Sequence, residues 1–86
     1  MVLSIPGSDS LKDKRQVVKS VLSIIRNKFN VSAAEIDHLD SHRRADLAFA
    51  CVSNDKIFVN SMLDKVVDHV ESNPLCEIVD YSIDFV

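Results

Sequence analysis

The sequence predicts one α+β domain whose elements follow the order β-α-β-β-α-β. Two stretches repeat apolar residues at the three- and four-residue spacing of an amphipathic helix, and four shorter stretches are rich in apolar residues, many of them β-branched. The chain has 86 residues, of which 47% are hydrophobic and 27% are charged. This length and composition suit a single domain, residues 1–86, with one small core.

The first strand is predicted over residues 1–5, where a short apolar run ends at a Pro-Gly turn. The first helix follows, and it is expected to end at Lys28 or Phe29. Ser10 is predicted to cap it, because a serine hydroxyl accepts a hydrogen bond from a backbone N–H of the first turn. The predicted buried stripe of this helix comprises Leu11, Val18, Val21, Leu22, Ile25 and Phe29.

A hairpin is predicted next. Its first strand covers residues 31–39, with an irregular alternation near Ala33 and Ala34 that suggests a bulge. The polar residues 40–44 form the predicted turn, and the second strand covers residues 45–52. That strand is apolar at nearly every position, which is typical of a central strand with both faces at least partly covered.

The second helix is predicted from a polar cap at residues 53–55 to about Ser72, where an Asn-Pro pair ends it. The last strand is predicted over residues 76–86, since apolar and polar residues alternate there. This order of elements is that of the ferredoxin-like split βαβ plan. Right-handed crossovers would place both helices on one face of a four-stranded antiparallel sheet.

The first helix also collects most of the positive charge, six of the ten Lys and Arg residues. At 100° per residue, four of them fall within a sector of roughly 60°. These four are Lys12, Arg15, Lys19 and Arg26. Residues 1–44 have eight basic and five acidic side chains, whereas residues 45–86 have two basic and eight acidic ones. A basic stripe on a chain of net charge −3 predicts an anionic partner, with Lys14, Arg43 and Arg44 as auxiliary contacts.

Structured RNA is the favoured partner. Lys and Arg neutralise phosphates and release counterions, and the sequence offers few aromatic side chains on which single-stranded bases would stack. Two other interpretations remain open. The stripe is either a solvated flank whose Lys and Arg stems cover the edge of the core, or a surface that docks on an acidic protein partner.

Several segments resemble the YlxP-like bacterial proteins. The matching segments are Ile-Pro-Gly at 5–7, Ser-Leu-Lys-Asp-Lys-Arg at 10–15, Lys-Phe-Asn-Val-Ser at 28–32, Ala-Glu at 34–35 and Val-Ser-Asn-Asp at 52–55. The resemblance covers essentially the whole chain and implies a ferredoxin-like domain of unknown function. Genes of this family often lie among genes for translation and ribosome-maturation factors, so the resemblance implies an association with RNA or the ribosome.

Two polar clusters suggest chemistry instead of binding. His38, Asp40 and His42 would share one face of an extended strand and could hold a divalent cation. The loop over residues 6–10 lies where acylphosphatases, which have this strand order, cradle phosphate, but it lacks their G-x-V-Q-G-V-x-[FY]-R motif. A small phosphate- or metal-dependent hydrolase is therefore the alternative. The expected function is non-enzymatic, with no cofactor and no metal.

The two cysteines, Cys51 and Cys76, are too few for a disulfide framework and are predicted to be reduced core thiols. No secretory signal and no apolar run of about 20 residues occurs, so a cytoplasmic location is expected. A homodimer is predicted through the helix-free face of the sheet, because the strand over residues 45–52 is apolar on both faces. Pairing of the last edge strand, ending at Val86, is the alternative dimer contact.

Overall fold

A computed structural model, which describes residues 1–86, has the predicted order of elements. The strands are β1 (Val2–Ser4), β2 (Ser32–Asp37), β3 (Arg44–Ala50) and β4 (Glu77–Asp80), and the helices are α1 (Leu11–Lys28) and α2 (Lys56–Glu71). All four strands form one antiparallel sheet in the order β2-β3-β1-β4. This is the strand order of a ferredoxin-like α+β fold, and the prediction of fold class is confirmed.

One hydrophobic core lies between the sheet and the two helices. Strand residues alternate between this core and the opposite face, so that Ala45 and Leu47 of β3 are fully buried while Ala48 and Ala50 are exposed. The core cluster comprises Leu3, Ile5, Val18, Val21, Leu22, Ile25, Ala33, Ala45, Leu47, Val66, Val70 and Cys76. None of the helices is long and apolar enough to cross a membrane.

Both helices begin at the predicted caps. The Ser10 hydroxyl accepts a hydrogen bond of 3.1 Å from the Asp13 N–H, and the Asp13 carboxylate accepts one of 3.2 Å from the Asp9 N–H. The Asp13 carboxylate thus bonds to the residue before the cap and not to the cap itself, which makes this a variant of the capping box with Asp in the place usually taken by Glu. At α2 the Asp55 carboxylate accepts hydrogen bonds from two backbone N–H groups of the first turn.

The bulge in β2 lies further along the strand than predicted. Ala33 and Ala34 pair regularly with β3, and the register shifts between Glu35, opposite Leu47, and Asp37, opposite Asp46. The extra residue is Ile36, which has no partner and is exposed. A change in alternation at two alanines could not locate the bulge, because small side chains tolerate either face.

The last strand is shorter than predicted. It was expected over residues 76–86, but β4 ends at Asp80, and residues 81–86 belong to no strand. Its partner β1 pairs with it only as far as Val2, which lies opposite Asp80. An alternating pattern becomes a strand only where a neighbouring strand supplies hydrogen-bond partners, and no neighbour lies beside residues 81–86.

The helix-free face of the sheet is lined by small residues where β2 and β3 pair. Ser32 lies opposite Ala50 and Ala34 lies opposite Ala48, and all four residues are exposed. Val52, within the predicted strand over residues 45–52, lies beyond the end of β3, which stops at Ala50. The homodimer through this face stays a prediction.

Candidate nucleic-acid interface

The basic stripe, defined as Lys12, Arg15, Lys19 and Arg26, is exposed along α1. None of these four side chains has a carboxylate oxygen within 4.0 Å. The reason lies in the sequence, because α1 contains no Asp or Glu after Asp13 that could form a pair three or four residues away. The positive charge of the stripe is therefore not neutralised within the fold.

The stripe runs along the side of α1 that adjoins the edge strand β2. The Arg26 guanidinium donates a hydrogen bond to the carbonyl oxygen of Ala33 in β2, and this bond orients the last side chain of the stripe. The stripe extends about 21 Å from Lys12 to Arg26 at 1.5 Å per residue. It is thus a linear array of cations long enough to contact several backbone phosphates of a nucleic acid.

Lys14, predicted as an auxiliary contact, is not part of this exposed surface. Its side chain is 0% exposed, and its ammonium lies 2.6 Å from Glu35 Oε2 of β2. The same ammonium donates to the carbonyl oxygens of His38, at 3.0 Å, and Leu39, at 3.5 Å. Lys14 therefore holds the start of the β2–β3 turn against α1, and its charge is already matched inside the protein.

The two arginines of the hairpin lie in different surroundings. The Arg43 Nε donates a hydrogen bond of 3.1 Å to the Ser8 carbonyl oxygen, and its guanidinium lies 3.7 Å from the Asp9 carboxylate. Arg43 thus joins the loop that precedes α1. Arg44 alternates with the buried Ala45, so it points to the helix-free face, away from α1. The predicted set of basic residues therefore does not form one continuous surface.

The loop before α1 offers few free donors for a phosphate. The Asp9 N–H already donates to the Asp13 carboxylate, and the Asp13 N–H donates to Ser10 Oγ. Ser8 is buried, and its hydroxyl donates to the Ser10 carbonyl oxygen. Two carboxylates beside the helix N-terminus also repel an anion. The geometry of this loop is that of a helix cap, and it gives no support to a phosphate cradle.

The hairpin histidines do not share a strand face. β2 ends at Asp37, and His38 has a φ of 59°, in the left-handed region, so the extended alternation on which that prediction depended stops before Asp40 and His42. No group of three or more His, Cys, Asp or Glu side chains with the geometry of a metal site occurs in the structure.

On α2, the His69 ring is half-buried and makes an edge contact with Phe29 at 6.1 Å between centroids.

Two comparisons with known proteins address identity. The family described as "Protein of unknown function (DUF503)" matches residues 1–83. The chain belongs to this family. A curated relative from Bacillus subtilis (strain 168), named "Uncharacterized protein YlxP", is 38% identical over 68 residues, which cover 79% of this chain and 74% of the relative. The resemblance to YlxP-like proteins is confirmed, and neither name states a ligand or a reaction.

Within this DUF503 chain, one signal for the role of Lys14 was present in the sequence. Lys14 precedes Val18, Val21 and Ile25 by four, seven and eleven residues, so it lies within the apolar stripe of α1 and not on its polar side. A lysine in a buried stripe needs an acidic partner, and Glu35 supplies it. The sequence alone could not show which of the acids would do so.

The buried cysteine leads to a prediction about alkaline pH. Burial raises the pKa of the Cys76 thiol above its ordinary value of 9.0. Above pH 9 the unfolded chain therefore loses this proton while the folded chain keeps it, and the free energy of unfolding falls as the pH rises. Urea denaturation between about pH 8 and pH 10 should show a steeper loss of stability in the wild type than in Cys76→Ala. Equal slopes in the two proteins would contradict a buried, protonated thiol.

Proposed function

We propose that this chain is a non-enzymatic binding protein that contacts the phosphates of structured RNA, alone or in a ribosomal particle, through the basic stripe. The observation that supports this proposal is the row of four exposed cations without a carboxylate partner. A row of cations without acidic neighbours creates a local positive field along the helix. Arg43, at the adjoining loop, is a secondary contact in this proposal, and Lys14 and Arg44 are left out of it.

The acidic remainder of the protein limits what can bind. Net charge is −3, and residues 45–86 contain eight acidic and only two basic side chains. A polyanion that approaches from the α2 side is repelled, whereas one that approaches along the stripe is attracted. Binding is therefore restricted to one orientation, which suits a defined RNA surface more than indiscriminate coating of nucleic acid.

Phosphate contact suits the stripe better than base recognition does. The exposed aromatic side chains are Phe58, Tyr81 and Phe85, which belong to α2 and the C-terminal segment. The stripe lies on α1, where Arg26 bonds to β2, and it contains no aromatic residue. Single-stranded RNA is usually read by stacking bases on aromatic rings, while folded RNA is recognised largely through its shape and backbone.

Co-sedimentation with ribosomal particles from a bacterial lysate tests the proposal. The wild type is expected to migrate with the particles at low salt and to leave them at high salt, because phosphate contacts release counterions. The variant Lys12→Glu/Arg15→Glu/Lys19→Glu is expected to stay at the top of the gradient under both conditions. Wild-type protein that remains at the top even at low salt would refute the ribosomal form of the proposal and would favour docking on an acidic protein.

A further inference from the structure

The sheet contains a slot one strand wide beyond the start of β1. β1 lies between β3 and β4 and pairs with both strands only as far as Val2. One further pair of hydrogen bonds joins Met1 to Leu47. Past that point β3 continues to Ala50 on one side and residues 81–86 continue on the other, with no strand between them. This gap in the sheet is called the slot below.

The slot is apolar and rests on a helix. A cavity of about 320 Å³ occupies it. Its floor consists of Leu63, Val66 and Val67 of α2, and its walls include Phe49 of β3 and Ile83 of the C-terminal segment. An extended segment in the slot would cover these apolar residues of α2 in the same way that β1 covers the core in the rest of the sheet.

The wall formed by β3 presents backbone groups that lack a strand partner. Successive residues of a central antiparallel strand bond alternately to the strand on either side. Leu47 bonds to Met1 on the β1 side, and Ala48 pairs with Ala34 of β2. The N–H and carbonyl groups of Phe49 therefore point into the slot. Added strands are recognised by such rows of free backbone groups.

We propose that residues 81–86 of a second copy of this chain occupy the slot and pair with β3. The segment alternates Tyr81, Ile83 and Phe85 with Ser82 and Asp84, a strand-like pattern, yet it has no strand partner in a single copy. Nearly half of the Tyr81 and Phe85 surface is exposed, 49% and 45% respectively. Apolar side chains with a β pattern and no neighbouring strand favour pairing with another chain.

The direction of the chains supports a two-fold dimer. β1 is antiparallel to both β3 and β4, so residues 81–86 continue in the direction of β3 within one copy. A two-fold axis perpendicular to the sheet reverses that direction. The second copy's segment thus enters antiparallel to β3 on one side and antiparallel to the first copy's segment on the other, as β1 does in the rest of the sheet.

The exchange is reciprocal, which favours a second copy over an unrelated peptide. The strand order across the contact becomes β3, the second copy's segment, the first copy's segment and the second copy's β3, so both slots are filled by one operation. This contact differs from a dimer through the helix-free face, and it does not depend on the proposed binding of RNA.

The test measures the oligomeric state of the 86-residue chain by analytical ultracentrifugation from about 5 to about 500 μM. The wild type is expected to dimerise, and Ile83→Asp is expected to be a folded monomer by circular dichroism. The matched control is Ala34→Glu, which places a carboxylate on the helix-free face and is expected to leave the dimer intact.

Hydrogen exchange of the wild type adds a measurement that needs no variant. The Phe49 amide should gain about tenfold or more protection as the dimer forms, while the Ala48 amide, already paired with β2, should not change.

Three outcomes would overturn the proposal. A wild type that stays monomeric throughout refutes it. A dimer that is lost in Ala34→Glu and kept in Ile83→Asp assigns the contact to the helix-free face. A dimer whose formation leaves the Phe49 amide unprotected shows that the slot is empty, and this result decides the question even if Ile83→Asp fails to fold.

Discussion

Replacing Lys14 with methionine is expected to lower the free energy of unfolding by about 3 kcal/mol. The Lys14 ammonium is fully buried, and its loss leaves the Glu35 carboxylate, whose side chain is only 15% exposed, without its countercharge. A carboxylate removed from water and left unpaired costs more than the ion pair itself contributed, because neither solvent nor a partner then stabilises the charge. The carbonyl oxygen of His38 also loses a donor at 3.0 Å. Methionine retains most of the aliphatic packing, so urea denaturation measures chiefly the electrostatic loss.

A double variant separates the charge effect from a packing effect. Lys14→Met/Glu35→Leu removes both charges and is expected to recover most of the lost stability, since replacing a buried pair by apolar residues is often neutral. Lys12→Met, on the exposed stripe, is the matched control and should leave the midpoint of denaturation unchanged. The thermal midpoint of Lys14→Met should fall by roughly 15 °C in a domain of this size. Lys14→Met protein as stable as the wild type would contradict a buried, paired ammonium.

Reversing two charges of the stripe, Arg15→Glu/Lys19→Glu, is expected to weaken binding to structured RNA by about a hundredfold at low salt. A fluorescently labelled transfer RNA serves as the probe, and fluorescence anisotropy gives the affinity. With four phosphate contacts, the plot of log affinity against log salt concentration should have a slope of about −3.6 for the wild type. The variant should show a slope of about −1.8 or shallower, because two contacts are lost and two carboxylates now face the phosphates.

The chain offers a control of the same charge. Lys56→Glu/Lys65→Glu changes net charge by the same amount on the exposed surface of α2, and it is expected to lower affinity by no more than about threefold. Equal losses in the two variants would mean that net charge, not the stripe, governs binding. A wild type with no measurable affinity for transfer RNA at low salt would refute the proposal that the stripe binds the phosphates of structured RNA in general.

Local patterns in the sequence predicted most of the fold. The Ser10 cap and the three- and four-residue spacing of apolar side chains set the limits of α1, and the predicted end near Lys28 is the observed one. The same reasoning located α2 within a residue or two at each end. These features depend on hydrogen bonds and side-chain contacts between residues fewer than five positions apart, so a short window of sequence contains the information.

The candidate site was only partly predictable. Helical geometry alone placed Lys12, Arg15, Lys19 and Arg26 on one side of α1, and the structure shows them exposed. The sequence also grouped Lys14 and Arg44 with them, and the tertiary structure separates both from the stripe. Lys14 is buried because Glu35 lies 21 positions further along the chain on β2, and the pairing of β3 directs Arg44 to the helix-free face. Neither contact leaves a local signature that identifies its partner.

The sequence by itself determined the order of the elements, their caps and the charge on one side of α1, because each depends on neighbours within a turn or two of the chain. Only the tertiary structure decided which cation is buried, where the bulge in β2 lies and how far β4 extends. Those outcomes depend on residues distant in sequence. Glu35 must meet Lys14, and β1 must lie beside β4, before a charge is neutralised or an alternating segment becomes a strand. Residues 81–86 have the pattern of a strand without the neighbour that would complete it.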